Sequence, residues 1–320
     1  MIRRALVTGV SGFVGGHLVE HLLELGADLL GTAPDDRPQP TASPALDQIE
    51  QVSWDFAAGA LPPASRRAVE RFAPEAIYHL AALSIPEDCG TLEPTPLALT
   101  VNVEGTRRVL ELAAALASHP RVLVISSCHV YAPVAAERAR VDESAPLGPA
   151  SAYGRTKLAA EDLVRHAVAE GSCQAILVRG FPHTGPRQSP RMMLPEWASQ
   201  FATGGSEPVR VHTRGAHVDL SDVRDVVRAY RLLLEVGTPG EVYNVGSGIE
   251  RTSGEVLELL RGMAAPQRPI LELFPGFKQE PIADLTRLTA CTGWRPQIPL
   301  EQTVADTWAW WRDQSTTSLP

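Results

Sequence analysis

Tyr153 and Lys157 stand four residues apart in Ala152-Tyr153-Gly154-Arg155-Thr156-Lys157, and a Ser126-Ser127 pair closes an apolar run upstream. A free tyrosine hydroxyl, with a pKa near ~10, holds its proton too tightly to be a base at neutral pH. A lysine one helical turn away lies on the same face. Its positive charge favours the phenolate. A serine hydroxyl can hold a substrate oxygen beside the tyrosine. Ser127, Tyr153 and Lys157 can therefore exchange a proton with a carbinol or carbonyl oxygen.

A second pattern says what would accompany that proton. Thr8-Gly9-Val10-Ser11-Gly12-Phe13-Val14-Gly15 follows an apolar strand pattern and opens a helical one. Gly9 permits the positive φ of a tight turn. Gly12 leaves room for backbone N–H groups to approach a pyrophosphate at a helix N-terminus. Gly15 allows close strand–helix packing. This is a dinucleotide loop, expected to contact its ligand through Gly9, Ser11, Gly12, Phe13, Val14 and Gly15. Joined to the Ser/Tyr/Lys set, it implies hydride transfer with NAD or NADP. Ala33-Pro34 occupies the place where an acid marks NAD and an arginine marks NADP. Asp35 or Asp36 could reach ribose hydroxyls and Arg37 a 2′-phosphate; the balance favours NAD. Asp55 and Phe56 are expected near adenine, and Leu80, Ala81 and Ala82 beside the cofactor. His79 reads better as a packing residue.

The elements that must position these groups alternate between strand and helix. Strand patterns cover 4–7, 28–31, 51–53, 76–80, 122–125, 174–178 and 241–245. Helical patterns cover 12–25, 96–117, 152–170 and 222–236, and residues 33–45 read as a Pro/Asp-rich loop. That alternation predicts an α/β fold, a Rossmann-type doubly wound parallel sheet with a smaller C-terminal substrate-binding lobe. Residues 1–178 are assigned to the dinucleotide-binding domain, with 215–248 returning to it. Residues 179–214 and 249–320 are assigned to the lobe.

Composition narrows the class. With 320 residues and 44% hydrophobic content, the chain can bury a sizeable core. A net charge of −8 and no basic block argue against nucleic acid or a membrane surface as partner. No apolar stretch approaches the ~18 residues of a membrane span. The four cysteines, Cys89, Cys128, Cys173 and Cys291, lie 39 or more residues apart, so no metal or redox pair is expected. A reduced, cytoplasmic protein is the plain reading.

Over essentially its whole length the chain resembles the extended short-chain dehydrogenase/reductases, the nucleotide-sugar epimerases, dehydratases and reductases. Beyond the two motifs above, the similarity rests on His79-Leu80-Ala81-Ala82, Asn102-Val103-Glu104-Gly105-Thr106, Val141-Asp142-Glu143, Tyr243-Asn244-Val245-Gly246-Ser247-Gly248 and Thr292-Gly293-Trp294-Arg295-Pro296. Phe181-Pro182-His183-Thr184-Gly185-Pro186-Arg187-Gln188-Ser189-Pro190 looks most like the branch that reduces GDP-4-keto-6-deoxy-mannose.

The resemblance carries several implications. The catalytic hydroxyl lies four residues before Tyr131, which selects Ser127. Asn102, Tyr153, Lys157 and Pro182 join the cofactor set; Ser84, Ser127, His183, Arg187, Arg191 and Lys278 face substrate. The acidic pair of the 4,6-dehydratases is replaced by Cys128 and His129, leaving these as auxiliary acid/base candidates. Pro182, Val218 and Phe274 stand where the family commonly has an asparagine and two arginines. Arg187, Arg191, Arg210, Arg214 and Lys278 are nearby replacements, unless the substrate lacks a full diphosphate. An epimerase cycle through a keto intermediate is the favoured function. The alternatives are a reductase of a keto sugar or other ketone, and a non-catalytic NAD(P)-binding sensor. A homodimer through 96–117 and 151–170 is also implied.

Overall fold

The computed structural model describes residues 2–34 and 42–317. Seven parallel strands form the main sheet, in the order Val242–Val245, Gln174–Gly180, Arg121–Ser127, Ala76–His79, Arg4–Thr8, Asp28–Ala33, Glu50–Ser53. Direction of progression reverses between Arg4–Thr8 and Ala76–His79. A doubly wound sheet opens a crevice at such a switch point, beyond the carboxyl ends of the strands. The strands are apolar because helices cover both faces. On one side the glycine-loop helix Phe13–Glu24 and the helix Val223–Val236 bury Leu18, Leu22, Val226, Tyr230 and Leu233 against it. On the other, the helices Gly105–Ala115 and Ala152–Ala169 bury Val109, Leu112 and Val164.

Three features depart from the sequence reading. The expected helix over 96–117 is not continuous: Pro96–Ala98 passes into a π-helical turn at Leu99–Glu104 and then into Gly105–Ala115. Such insertions cluster at functional sites. A helix at Pro63–Phe72 was not anticipated, because only Ser65, Ala68 and Val69 are buried on it and its apolar stripe is narrow. The strand Gly215–Asp219 does not rejoin the main sheet; it pairs with Glu250–Thr252 and Phe277–Gln279 in a separate three-stranded sheet.

The lobe holds its own apolar cluster, with Leu194, Trp197, Val209, Leu257 and Val304 at its centre. The helix Thr286–Thr292 nevertheless packs on the main sheet's side, where Leu288 and Trp294 join the core. Trp294 Nε1 donates to the Asp225 carbonyl (3.1 Å), and the amides of Gln297 and Ile298 donate to its carboxylate (2.8 Å each). Residues after 249 thus divide between lobe and main sheet. The junction is fixed by Asp219, fully buried, which accepts from the Ser247, Gly248 and Ala283 amides and the Ser247 hydroxyl.

His79 closes the sheet beneath the crevice and is a packing residue. Thr106 donates to the Asn102 carbonyl (2.7 Å), so it accepts from His79 Nε2 (3.2 Å); Nδ1 then accepts from Thr8 (2.9 Å). Burial, aided by the charge of Lys157, pushes this imidazole's pKa down to about 3. The unfolded chain protonates His79 near pH ~6.5 and the native state only near pH 3, so stability falls as pH drops through that window. Between pH 7 and 5 the wild type should lose roughly 2 kcal/mol more stability than His79→Gln. Urea unfolding across pH checks this; parallel pH profiles for the two proteins would refute it.

Candidate active site

The glycine loop sits at the switch point. Gly9 has φ 72°, and a Cβ there would come within 2.9 Å of the Ala81 backbone. A Cβ on Gly15 would reach 2.2 Å from the Gly9 carbonyl. Both positions need glycine. The helix Phe13–Glu24 begins at Gly12 with no side-chain cap and no acid in its first turn. Its first amides have no intrahelical acceptors, and the positive dipole end is unopposed. That donor set fits a pyrophosphate. Ser11, Phe13 and Val14 are half-buried around it, and Leu80, Ala81 and Ala82 line the opposite lip, with the Ala81 amide donating to Thr8 Oγ1 (3.2 Å).

Other expected cofactor residues fare differently. Asp35, with Asp36 and Arg37, lies outside the described residues. Asp55 accepts from the Ala57 amide (2.9 Å) and shapes a turn. The Phe56 ring is buried between Trp54, His79 and Gly105, so only its backbone remains to meet a ligand. The Asn102 side chain is not free to bind cofactor either. Its Oδ1 accepts from the Leu83 amide (2.8 Å), and Nδ2 donates to the Leu83 carbonyl (3.1 Å) and Thr156 Oγ1 (3.0 Å). Asn102 clips the loop after Ala76–His79 to the helix bearing Tyr153. Pro182 accepts the Ser221 amide at its carbonyl (3.0 Å).

Ser127, Tyr153 and Lys157 come together. The strand Arg121–Ser127 ends beside the helix Ala152–Ala169, which Ser151 caps by accepting from the Gly154 amide (3.2 Å). Ser127 Oγ accepts from the His129 amide (3.2 Å), and its hydroxyl favours the ionised form of Tyr153. Lys157 Nζ donates to the Ile125 carbonyl (2.9 Å) and lies 5.8 Å from the centre of the Tyr153 ring. Burial pushes the Tyr153 hydroxyl above its ordinary pKa and lowers Lys157 to about 8. The lysine therefore keeps its charge at pH 7.

His129 faces the same space. Its ring meets the Tyr153 ring edge-on at 5.6 Å. Burial lowers its pKa; the charge of Glu280 works against that and that of Lys278 with it. Lys278 itself is paired with Glu280 (2.6 Å). Cys128 is different: it is buried among Tyr131, Val141, Phe181 and Ala283, and burial pushes its thiol far up. It is a packing residue, not an acid or base.

The expected substrate residues divide. Ser84 is exposed on the loop after Ala76–His79. His183 stacks on Phe13 of the glycine loop (6.1 Å between rings, 9° apart), which places it on the cofactor side. Arg187 donates to Glu20 (2.6 Å), Arg191 pairs with Asp88 (2.9 Å), and Arg214 pairs with Glu258 (2.9 Å). These three guanidiniums are committed to protein carboxylates, because charged partners reached them through folding that spacing does not show.

Sequence reading missed the group that aligns the set. Glu161 is fully buried one turn beyond Lys157 on the same helix face. It accepts from Ser126 (2.6 Å) and, with both oxygens, from Arg179 (3.0 and 2.9 Å). Burial works to raise its pKa, but Arg179 holds the carboxyl below the usual range. The spacing 153, 157, 161 was the available signal. Glu161 thereby ties the strand end carrying Ser127 to the helix carrying Tyr153. Replacing Glu161 by Gln should lower stability by about 3 kcal/mol and reduce kcat more than KM changes. A folded Glu161→Gln protein with wild-type kcat would exclude this positioning role.

Residues 5–246 match the model of the NAD dependent epimerase/dehydratase family, and the chain belongs to that family. It is 31% identical over 314 residues to GDP-6-deoxy-D-mannose reductase of Pseudomonas aeruginosa, with 95% of each chain covered. It is also 31% identical over 328 residues to UDP-glucose 4-epimerase of Mycolicibacterium smegmatis, covering 98% of this chain and 99% of that one. Among solved structures, RMD from Pseudomonas aeruginosa complexed with NADPH aligns with a TM-score of 0.82 at 28% identity, over 98% of this chain and 99% of that one. UDP-glucose 4-epimerase of Thermus thermophilus complexed with NAD aligns with a TM-score of 0.83 at 25% identity, over 97% and 99%.

Proposed function

We propose that this enzyme is an NAD(P)-dependent epimerase of a nucleotide-sugar-like substrate, working through a keto intermediate. The observation that carries the reading is the buried Lys157 ammonium, 5.8 Å from the Tyr153 ring and bonded to the Ile125 carbonyl, on the helix beside the strand that ends at Ser127. When bound, a nicotinamide dinucleotide supplies the reversible hydride acceptor. The glycine-loop amides hold its pyrophosphate. Ser127 holds the reacting hydroxyl, and Tyr153 removes its proton. Lys157, charged below pH ~8, stabilises the phenolate. The proton returns by the same route once the keto intermediate has turned its other face. The half-buried, neutral imidazole of His129 stands ready as a second acid or base.

A reductase of a keto sugar is the second reading, favoured by the similarity to GDP-6-deoxy-D-mannose reductase. The two share every catalytic residue and differ in whether cofactor leaves. Arg187, Arg191, Arg214 and Lys278 are each paired with a carboxylate, which leaves the exposed Arg210 as the cation of this set proposed for a substrate phosphate. Two copies of the chain are proposed to pair through the helices at 96–115 and Ala152–Ala169, where Leu97 and Leu99 are exposed, and the four free cysteines suit a cytoplasmic setting.

Mass spectrometry of small molecules released on denaturation tests the reading. Stoichiometric NAD, with NMR showing UDP-glucose inverted at one carbon, is the expected result. An empty protein, or one releasing NADP(H), that consumes NADPH on a keto sugar would replace the epimerase with the reductase.

A further inference from the structure

Residues 183–192 link both walls of the crevice. At one end His183 stacks on Phe13, and the His17 Nε2 donates to the Pro186 carbonyl (3.0 Å). Arg187 then donates to Glu20 (2.6 Å) and to His17 Nδ1 (3.1 Å), both on the glycine-loop helix. Glu20 is itself held by Ser43 (2.6 Å). Arg187 has φ 70°, a left-handed backbone that a non-glycine residue adopts only under constraint. Four residues on, Arg191 makes a two-pronged bond to Asp88, 2.9 Å at each oxygen. Asp88 lies in the turn Pro86–Cys89, whose Cys89 packs with Tyr153.

This segment therefore starts over the glycine loop and ends beside the catalytic helix. We propose that it is a strap that closes over the bound dinucleotide, with Arg191–Asp88 as its releasable latch and Arg187–Glu20 as its anchor. The two attachments differ in the way a strap needs. The anchor is largely buried, with side-chain exposures of 17% and 31%; the latch is about half exposed, at 51% and 41%. Exposed pairs are weak and salt-screened, so the latch opens first while the anchor keeps the strap in place. Opening lets cofactor leave; closure retains it between half-reactions.

The inference rests on the reading of the glycine loop as a dinucleotide site. Its test measures release rather than turnover. NADH or NADPH, whichever binds, is loaded and chased with excess oxidised cofactor, and the fluorescence decay gives the release rate. Asp88→Asn and Arg191→Gln should each speed release about threefold, in keeping with a half-exposed ion pair. Arg187→Gln combined with Arg191→Gln should speed it roughly tenfold. Raised salt should speed release from the wild type and leave Arg191→Gln unmoved. Exchanging the charges, Asp88→Arg with Arg191→Asp, should restore slow release. Unchanged release in all variants overturns the strap while leaving the dinucleotide site intact. Failure of the wild type to bind either cofactor overturns both.

Discussion

A carboxylate buried without compensation is among the most unfavourable groups a fold can contain. Glu161 is fully buried and would be such a group without its partners, and the candidate active site is organised around satisfying it. Arg179 meets both of its oxygens, Ser126 bonds one, and Arg165 reaches it from the solvent side. The network continues outward. The Arg179 guanidinium stacks over Tyr131 (4.8 Å) and donates to the Glu143 carbonyl (3.0 Å). Tyr131 donates to Asn244 (2.7 Å), whose amide N–H donates to the Glu143 carboxylate (2.8 Å). Strand ends 127, 180 and 245 are thus locked to the helix Ala152–Ala169. Motifs separated by more than 100 residues in sequence occur together because each supplies one member of this set.

The cofactor side depends on a different constraint, close approach. Gly9, Gly15 and the small Ala81 let the first strand, its helix and the lip after Ala76–His79 converge without side chains between them. Asn102, presented from a π-helical turn, fixes that lip to Thr156 and so to the helix bearing Tyr153. The two networks end on the same helix, at Thr156 and at Glu161, on either side of Lys157, whose ammonium donates to the Ile125 carbonyl.

Much of this was legible in the chain because it is local. Strand and helix patterns carry their period in consecutive residues, the glycine loop carries its backbone requirement, and Tyr153 to Lys157 is one helical turn. What was not legible depends on partners brought by folding. Nothing near Arg187 or Arg191 in sequence announces Glu20 or Asp88, and nothing near Cys128 announces that Phe181 and Ala283 bury it. Asn102 was read as a cofactor ligand on the resemblance alone; only the folded chain shows its side-chain amide engaged with Leu83 and Thr156. The break in the helix at 99–104 leaves the apolar spacing on either side intact, so periodicity could not expose it.

The central claim is that Tyr153, set beside Ser127 and with the Lys157 ammonium 5.8 Å from its ring, moves the proton that accompanies hydride transfer. Single-turnover absorbance at 340 nm tests it most directly, after mixing NAD-loaded protein with UDP-glucose or dTDP-glucose. The account predicts a transient rise in the wild type and a rise slowed at least ~100-fold in Tyr153→Phe with cofactor still bound. A Tyr153→Phe protein that reduces its NAD at the wild-type rate, or a wild type silent with both sugars, would contradict it.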